Sequence, residues 1–271
     1  MFGNTAYDVI ERGDYRFVLR EGKAADPAEN QQLVLLHGMF GGLSNFDPLL
    51  DEMDENVTCF IPEIPLYELP SSSMKVSKLA EWLKKVLVNE GIEETILLGN
   101  SLGGHIALDF TLQNPQQVEA LVLTGSSGLF ENHFGNSTPR RFDREYIRQR
   151  AGETFYHDIL NDTIIDEIMA VLKNRKKLKN LLRLARATHK YNMEHVLGQI
   201  EHRTLLVWGK NDEITPPDVG EMFQSLMPNA KLEWIDECGH APMMEHPKEF
   251  TVILTRFLNE LKAKKSRKTE L

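Results

Sequence analysis

In Gly99-Asn100-Ser101-Leu102-Gly103-Gly104 a serine stands between two glycines, directly after the apolar run Ile96-Leu97-Leu98 and before the helix-forming His105-Ile106-Ala107-Leu108-Asp109-Phe110. A serine hydroxyl attacks a carbonyl carbon only when a neighbouring base takes its proton. A strand, a tight turn and a helix expose such a hydroxyl if the positions two before and two after it carry almost no side chain, as Gly99 and Gly103 do. The same residues also read as a strand followed by an N-cap serine, so the rest of the chain has to decide. Asp212 follows the run Thr204-Leu205-Leu206-Val207-Trp208, and His240 follows Ala230-Lys231-Leu232-Glu233-Trp234-Ile235. Groups just past successive strands collect at the carboxyl edge of a parallel sheet, where the histidine can serve as base and the aspartate can orient it. Ser101, Asp212 and His240, in that order on strand ends, form the expected catalytic triad. Glu213 and Asp236 are the fallback carboxylates.

Attack on a carbonyl builds negative charge on its oxygen, which rigid backbone N–H groups stabilise. The N–H of Leu102, next to Ser101, is the first expected donor of an oxyanion hole. The second is assigned to Met39, in the loop His37-Gly38-Met39-Phe40-Gly41-Gly42 that follows the apolar run Leu33-Val34-Leu35-Leu36. His37, at a strand end before glycine, reads as a structural hydrogen-bonding residue. His105 reads as packing or surface, and His246 as the start of the last helix.

These side chains need a scaffold of strands and helices. Tyr15-Arg16-Phe17-Val18-Leu19 alternates polar and apolar residues like a half-exposed strand. The runs at 33–36, 57–62, 96–98, 120–123, 204–208 and 230–235 read as further strands, those at 33–36 and 96–98 apolar enough to be covered on both faces. Between them, 44–53, 76–88 and 105–113 read as helices; in the second, Val76, Leu79, Ala80, Leu83, Val86 and Leu87 recur at three- and four-residue spacing. Helices between buried strands imply an α/β fold with a doubly wound, mostly parallel sheet. The alternation breaks from Leu129 to Gly198, a polar stretch of helix formers that reads as a helical insertion. A last helix is expected from Pro247 to about Leu261, with a frayed basic tail beyond it.

The 271 residues carry 31 basic and 40 acidic side chains, a net charge of −9 that argues against a general nucleic-acid surface. Two cysteines, Cys59 and Cys238, make neither a disulfide framework nor a metal-ligand pair, and no metal or cofactor is expected. No basic segment followed by an apolar core opens the chain, and no run reaches about eighteen apolar residues. A cytoplasmic protein with no membrane span and a small-molecule, ester-like substrate is expected.

With these motifs in hand, the chain resembles the alpha/beta-hydrolase superfamily in its serine-nucleophile, capped, esterase-like branch. The resemblance covers essentially the whole sequence: His37-Gly38 after the third strand, the Gly99–Gly104 elbow, Trp208-Gly209-x-x-Asp212 with Pro216, and Gly239-His240 with Glu245-His246-Pro247. It implies an eight-stranded sheet, a core formed by 1–128 and 199–271, and a helical cap at 129–198 inserted after strand six. It also implies cofactor-free acyl chemistry: hydrolysis of a carboxylic ester or thioester through an acyl-enzyme on Ser101.

Two alternatives stand beside that reading. One is a carbon-carbon bond hydrolase acting on meta-cleavage-type keto acids, which the Gly-Asn-Ser-x-Gly-Gly elbow and Asn45-Phe46 resemble. Those enzymes usually show a Gly-Pro-Gly oxyanion loop and a tryptophan after the histidine, where this chain has Met39-Phe40-Gly41-Gly42 and Ala241. The other is a low-turnover ligand-binding receptor on the same fold. Within the insertion, Arg140, Arg141, Arg144, Arg148 and Arg150 read either as a solvated face or as partners for a substrate carboxylate or phosphate. Phe134, Phe142, Phe155, Met169 and Met193 read as insertion core or acyl-pocket lining.

Overall fold

The computed structural model of the chain describes residues 5–25, 30–132 and 143–269. Eight strands form one sheet: β1 (Val9–Arg12), β2 (Tyr15–Arg20), β3 (Gln31–Leu36), β4 (Val57–Pro62), β5 (Thr95–Asn100), β6 (Val118–Thr124), β7 (Arg203–Gly209) and β8 (Ala230–Ile235). Their order is β1-β2-β4-β3-β5-β6-β7-β8. β2 pairs antiparallel with β1 and β4, and every pairing from β4 to β8 is parallel. The expected fold class is thus observed. β1 was not foreseen, because its Val-Ile-Glu-Arg is a short and largely exposed edge.

Helices cover both faces, which is why the central strands are apolar without alternation. On one face, α2 (Val76–Asn89), α3 (Leu102–Gln113) and α7 (Pro217–Leu226) bury Leu79, Leu83, Ile106, Val219 and Phe223 against Val34, Leu36, Leu97 and Leu121. On the other, α1 (Asp47–Glu52), α8 (Pro242–Glu245) and α9 (Pro247–Thr269) bury Leu49, Met243, Phe250 and Leu254 against Leu33, Leu35, Ile96 and Leu98. α9 runs beyond the expected end at Leu261: Lys262 to Thr269 is rich in straight-chain residues that extend a helix.

Among the described residues, three α-helices lie between β6 and β7: α4 (Arg144–Gly152), α5 (Asp162–Lys173) and α6 (Arg175–Lys190). Each starts on a side-chain cap, from Asp143, Asn161 and Asn174 respectively. They share a small apolar core of their own, built on Ile147, Leu160, Ile165, Ile168, Met169 and Leu181, against which Met39, Phe40 and Tyr67 pack from the sheet side. Buried Asn180 of α6 pins this unit: its Nδ2 donates to the carbonyls of Tyr67 (3.2 Å) and Leu69 (3.0 Å), and its Oδ1 accepts from Ser71 Oγ (2.6 Å). Among the described residues no helix is long and apolar enough to cross a membrane.

Candidate active site

β5 ends at Asn100 and α3 begins at Leu102, so Ser101 alone makes the turn. Its φ of 54° and ψ of −120° lie where a non-glycine residue is strained. The turn closes through the two glycines foreseen from the sequence. A Cβ on Gly99 would press 2.5 Å from the backbone of Gly103, and one on Gly103 would overlap the carbonyl oxygen of Leu36. Backbone bonds hold the tip: Ser101 N–H donates to Thr124 (3.1 Å), and the Ser101 carbonyl accepts from Ser127 (3.1 Å). Ser101 is partly exposed, whereas all of β5 and the first turns of α3 are buried.

Past β7, Asp212 sits 3 % exposed with its carboxylate fully engaged. Oδ1 accepts the N–H groups of Ile214 (2.8 Å) and Thr215 (2.9 Å). Oδ2 accepts the Thr215 hydroxyl (2.9 Å) and Nδ1–H of His240 (2.9 Å). Asp212 is therefore the carboxylate brought to the histidine. The fallback Asp236 pairs instead with Lys210 at the surface, and Glu213 is exposed.

His240 is buried, and its ring rests on Gly125 at the end of β6, where a Cβ would come within 2.8 Å of Nδ1. Because Nδ1 donates to Asp212, Nε2 is left as the acceptor, the tautomer a general base requires. Burial pushes the His240 pKa down. The charge and hydrogen bond of Asp212, helped by Glu131 and Glu245, outweigh that and hold it above the ordinary histidine value. Asn100, next to Ser101, donates Nδ2 to the His240 carbonyl at 3.0 Å. This link between the two loops was not foreseen, although Asn100 lies in the elbow motif.

The sequence points to the N–H groups of Leu102 and Met39 as oxyanion donors. Leu102 opens α3, so its N–H has no carbonyl one turn earlier to bond. Gly38 lies beside Ser101, its Cβ position 3.2 Å from Ser101 Cβ. The Gly38 carbonyl accepts from His37 Nδ1 (2.9 Å) and Gly41 N–H (3.1 Å), so the trans peptide turns the Met39 N–H the opposite way. Ile64 N–H donates to His37 Nε2 (3.0 Å), which leaves the proton on Nδ1. Complete burial keeps the His37 pKa low, against the opposing pull of the Gly38 carbonyl and Glu63. His37 thus has the hydrogen-bonding place read from its sequence.

In the inserted helices the arginines fit the solvated-face reading and not the substrate-partner one. Arg144 pairs with Asp162 (2.9 Å) and Asp166, Arg148 with Asp162 (2.5 Å), and Arg150 with Glu153 (2.6 Å). All three already hold a carboxylate of the chain. Arg140, Arg141, Phe134 and Phe142 lie outside the described residues. Met169 belongs to the insertion's own core, Phe155 packs between that core and the sheet, and Met193 joins the core under α2 and α3.

A serine on a strained turn, beside an imidazole oriented by a buried carboxylate, is an arrangement suited to acyl transfer. Known proteins resemble the chain over the same span. The family model of the alpha/beta hydrolase family matches residues 33–252. A 2-hydroxy-6-oxononadienedioate/2-hydroxy-6-oxononatrienedioate hydrolase of Paraburkholderia xenovorans is 30% identical over 279 residues, covering 92% of this chain and 93% of that one. A 2-hydroxy-6-oxo-6-phenylhexa-2,4-dienoate hydrolase of Comamonas testosteroni is 29% identical, covering 87% and 90%. The crystal structure of an alpha/beta hydrolase enzyme from a metagenome of lagoon sediments at Mar Chica, Morocco, is 37% identical, with a TM-score of 0.75 over 93% of this chain and 98% of that one. With sheet order, elbow and family match in agreement, the chain is a hydrolase and belongs to the alpha/beta hydrolase family.

Proposed function

We propose that the chain is a serine-dependent carbon-carbon bond hydrolase acting on a 2-hydroxy-6-oxo-dienoate, with the inserted helices as its cap. The observation that carries this is the similarity, over nearly the whole chain, to hydrolases whose names specify that substrate class. It favours the carbon-carbon reading over the ester reading expected from the loop at 39–42 and from Ala241.

The chemistry matches the parts. In such a substrate the C6 ketone is joined through a diene to an enol at C2. Moving the enol proton to C5 gives a C2 ketone, which is the electron sink. Ser101 Oγ then attacks C6 while His240 Nε2 takes its proton, and Asp212 stabilises the imidazolium. Charge on the C6 oxygen falls on the N–H groups of Met39 and Leu102. Collapse breaks the C5–C6 bond, and the electron pair is delocalised to the C2 oxygen, which takes up a proton as the 2-hydroxydienoate leaves. Water, deprotonated by His240, releases the acyl group from Ser101 as a carboxylic acid. The sum is one water consumed and one C–C bond cut.

A second reading is supported by Met39-Phe40-Gly41-Gly42 and Ala241, which depart from the usual loop and tryptophan of carbon-carbon hydrolases. On that reading the same triad cleaves a carboxylic ester or thioester, the leaving group being an alkoxide or thiolate. Steady-state turnover of a 2-hydroxy-6-oxo-dienoate, followed by loss of its conjugated absorbance, beside a p-nitrophenyl ester series separates the two. The proposal expects kcat/KM for the dienoate to exceed the best ester by about a hundredfold or more, near 2.7 kcal/mol of transition-state preference. The opposite order would establish an esterase. Tight binding of the dienoate without turnover of either compound would point to a receptor.

A further inference from the structure

We propose that Glu245 is a positioning residue that fastens residues 154–157 of the insertion to the loop carrying His240, so that seating the insertion and placing the imidazole are one event. The inference rests on reading His240 as the general base. Glu245 closes α8, five residues after the histidine, and its carboxylate reaches in two directions. Oε1 accepts Gly239 N–H at 2.9 Å, on the histidine loop itself. Oε2 accepts Tyr156 N–H at 2.7 Å and His157 N–H at 3.3 Å, both on the segment that follows α4.

The two segments are also joined backbone to backbone. His240 N–H donates to the Thr154 carbonyl at 2.8 Å. Gly239 admits no side chain, because a Cβ there would lie 2.7 to 2.9 Å from Thr154 O, Phe155 Cα and Tyr156 N. On its other side His240 is held by Asn100 and Asp212. The insertion therefore supplies one wall of the histidine's seat, and Glu245 locks that wall. A carboxylate suits the task because it only accepts and can take several N–H groups at once, whereas a glutamine amide keeps a single acceptor oxygen.

The charged groups acting on His240 are Asp212, Glu131 and Glu245, and around Glu245 stand the Cys238 thiol and the rings of His157 and His246, tilted at 51° with centroids 5.7 Å apart. A loss of charge at 245 therefore moves the histidine's titration to lower pH, while simple loosening of the insertion, which rehydrates the ring, moves it the other way. Glu245→Gln and Glu245→Ala are made in the full chain, with His240→Ala beside them, and assayed on whichever of the dienoate or ester the wild type turns over. For Glu245→Gln, kcat falls about ten- to hundredfold, as displacement of a catalytic group by a fraction of an ångström to an ångström costs. KM changes by less than about threefold, because the effect is on the chemical step. The acid limb of kcat/KM moves to lower pH, and hydrogen exchange accelerates together in peptides covering 154–157 and 237–240. Wild-type kcat and an unmoved limb in Glu245→Gln, despite faster exchange at 154–157, would overturn the proposal and leave Glu245 a fastener alone. If Glu245→Ala does not fold, the glutamine variant decides. His240→Ala with turnover intact would instead overturn the reading of the base, a result distinct from any at position 245.

Discussion

Along the carboxyl edge of the sheet, the groups proposed for chemistry are held by backbone pressed against backbone; in the inserted helices, position is held by side chains. At the edge, Gly99 and Gly103 close on each other and on Leu36, Gly125 supports the imidazole, and Gly209 lies too close to the Cys238 and Gly239 carbonyls for any Cβ. For the insertion, Asn180 and, from α8, Glu245 do the holding. The difference separates two requirements. A reacting constellation needs sub-ångström placement, which packed backbone supplies. A cover, which the insertion is proposed to be, needs only to be fastened, and polar fastenings can be exchanged without rebuilding the sheet.

The contrast can be broken at either end. The largest effect is expected for Asp212→Asn, which removes the charge facing His240 and favours the wrong tautomer. Turnover should fall by about 10⁴-fold with the fold intact. In the wild type, the raised His240 pKa predicts an acid limb of kcat/KM above pH 6.5, since the imidazole must be neutral to act as base. Next come paired glycine substitutions. Gly103→Ala should cost about 3 kcal/mol or more in urea unfolding, because backbone has to move. Gly152→Ala, in the insertion, meets nothing within 4 Å and should stay within about 0.5 kcal/mol of wild type.

A smaller, pH-dependent effect belongs to His105. It is fully buried in α3, stacks on Tyr191 at 5.2 Å, and neither ring nitrogen has a hydrogen-bond partner. Burial pushes its pKa down to about 3. The unfolded chain takes up a proton near pH 6.5 that the folded chain refuses until near 3, so stability is lost as pH falls through that window. The loss at pH 5 is about 2 kcal/mol, and His105→Phe should flatten that part of the curve in thermal melts at pH 7 and 5. The smallest effect is expected for Arg144→Ala. Its partners are exposed carboxylates, so neither the melting temperature nor KM for a carboxylate substrate should move measurably.

What could be read in the sequence follows the same division. The elbow is legible because only glycine fits at 99 and 103, and the expected triad because Asp212 and His240 each follow a run that reads as a strand, the second of them the sheet's edge strand β8. Asp212 prevails over Glu213 through its short side chain, which accepts two amides of its own turn. The insertion is legible as helix but not in its contacts. A run of arginines does not reveal that Asp162 and Asp166 will turn to meet it. Glu245 sat in a recognised motif, Glu245-His246-Pro247, but its partner Tyr156 is 89 residues away in the chain. The ester reading rested on the loop 39–42 and on Ala241, local features of the wall. The substrate class of relatives aligned over the whole chain favours the carbon-carbon alternative.

The most direct measurement is the rate at which Ser101→Ala cleaves a 2-hydroxy-6-oxo-dienoate, relative to wild type, with both proteins shown to be folded. Loss of about a thousandfold or more is predicted, since Ser101 is the group proposed to form the acyl intermediate. Retention of more than about a tenth of the wild-type rate would contradict nucleophilic attack by Ser101 and with it the account of the site.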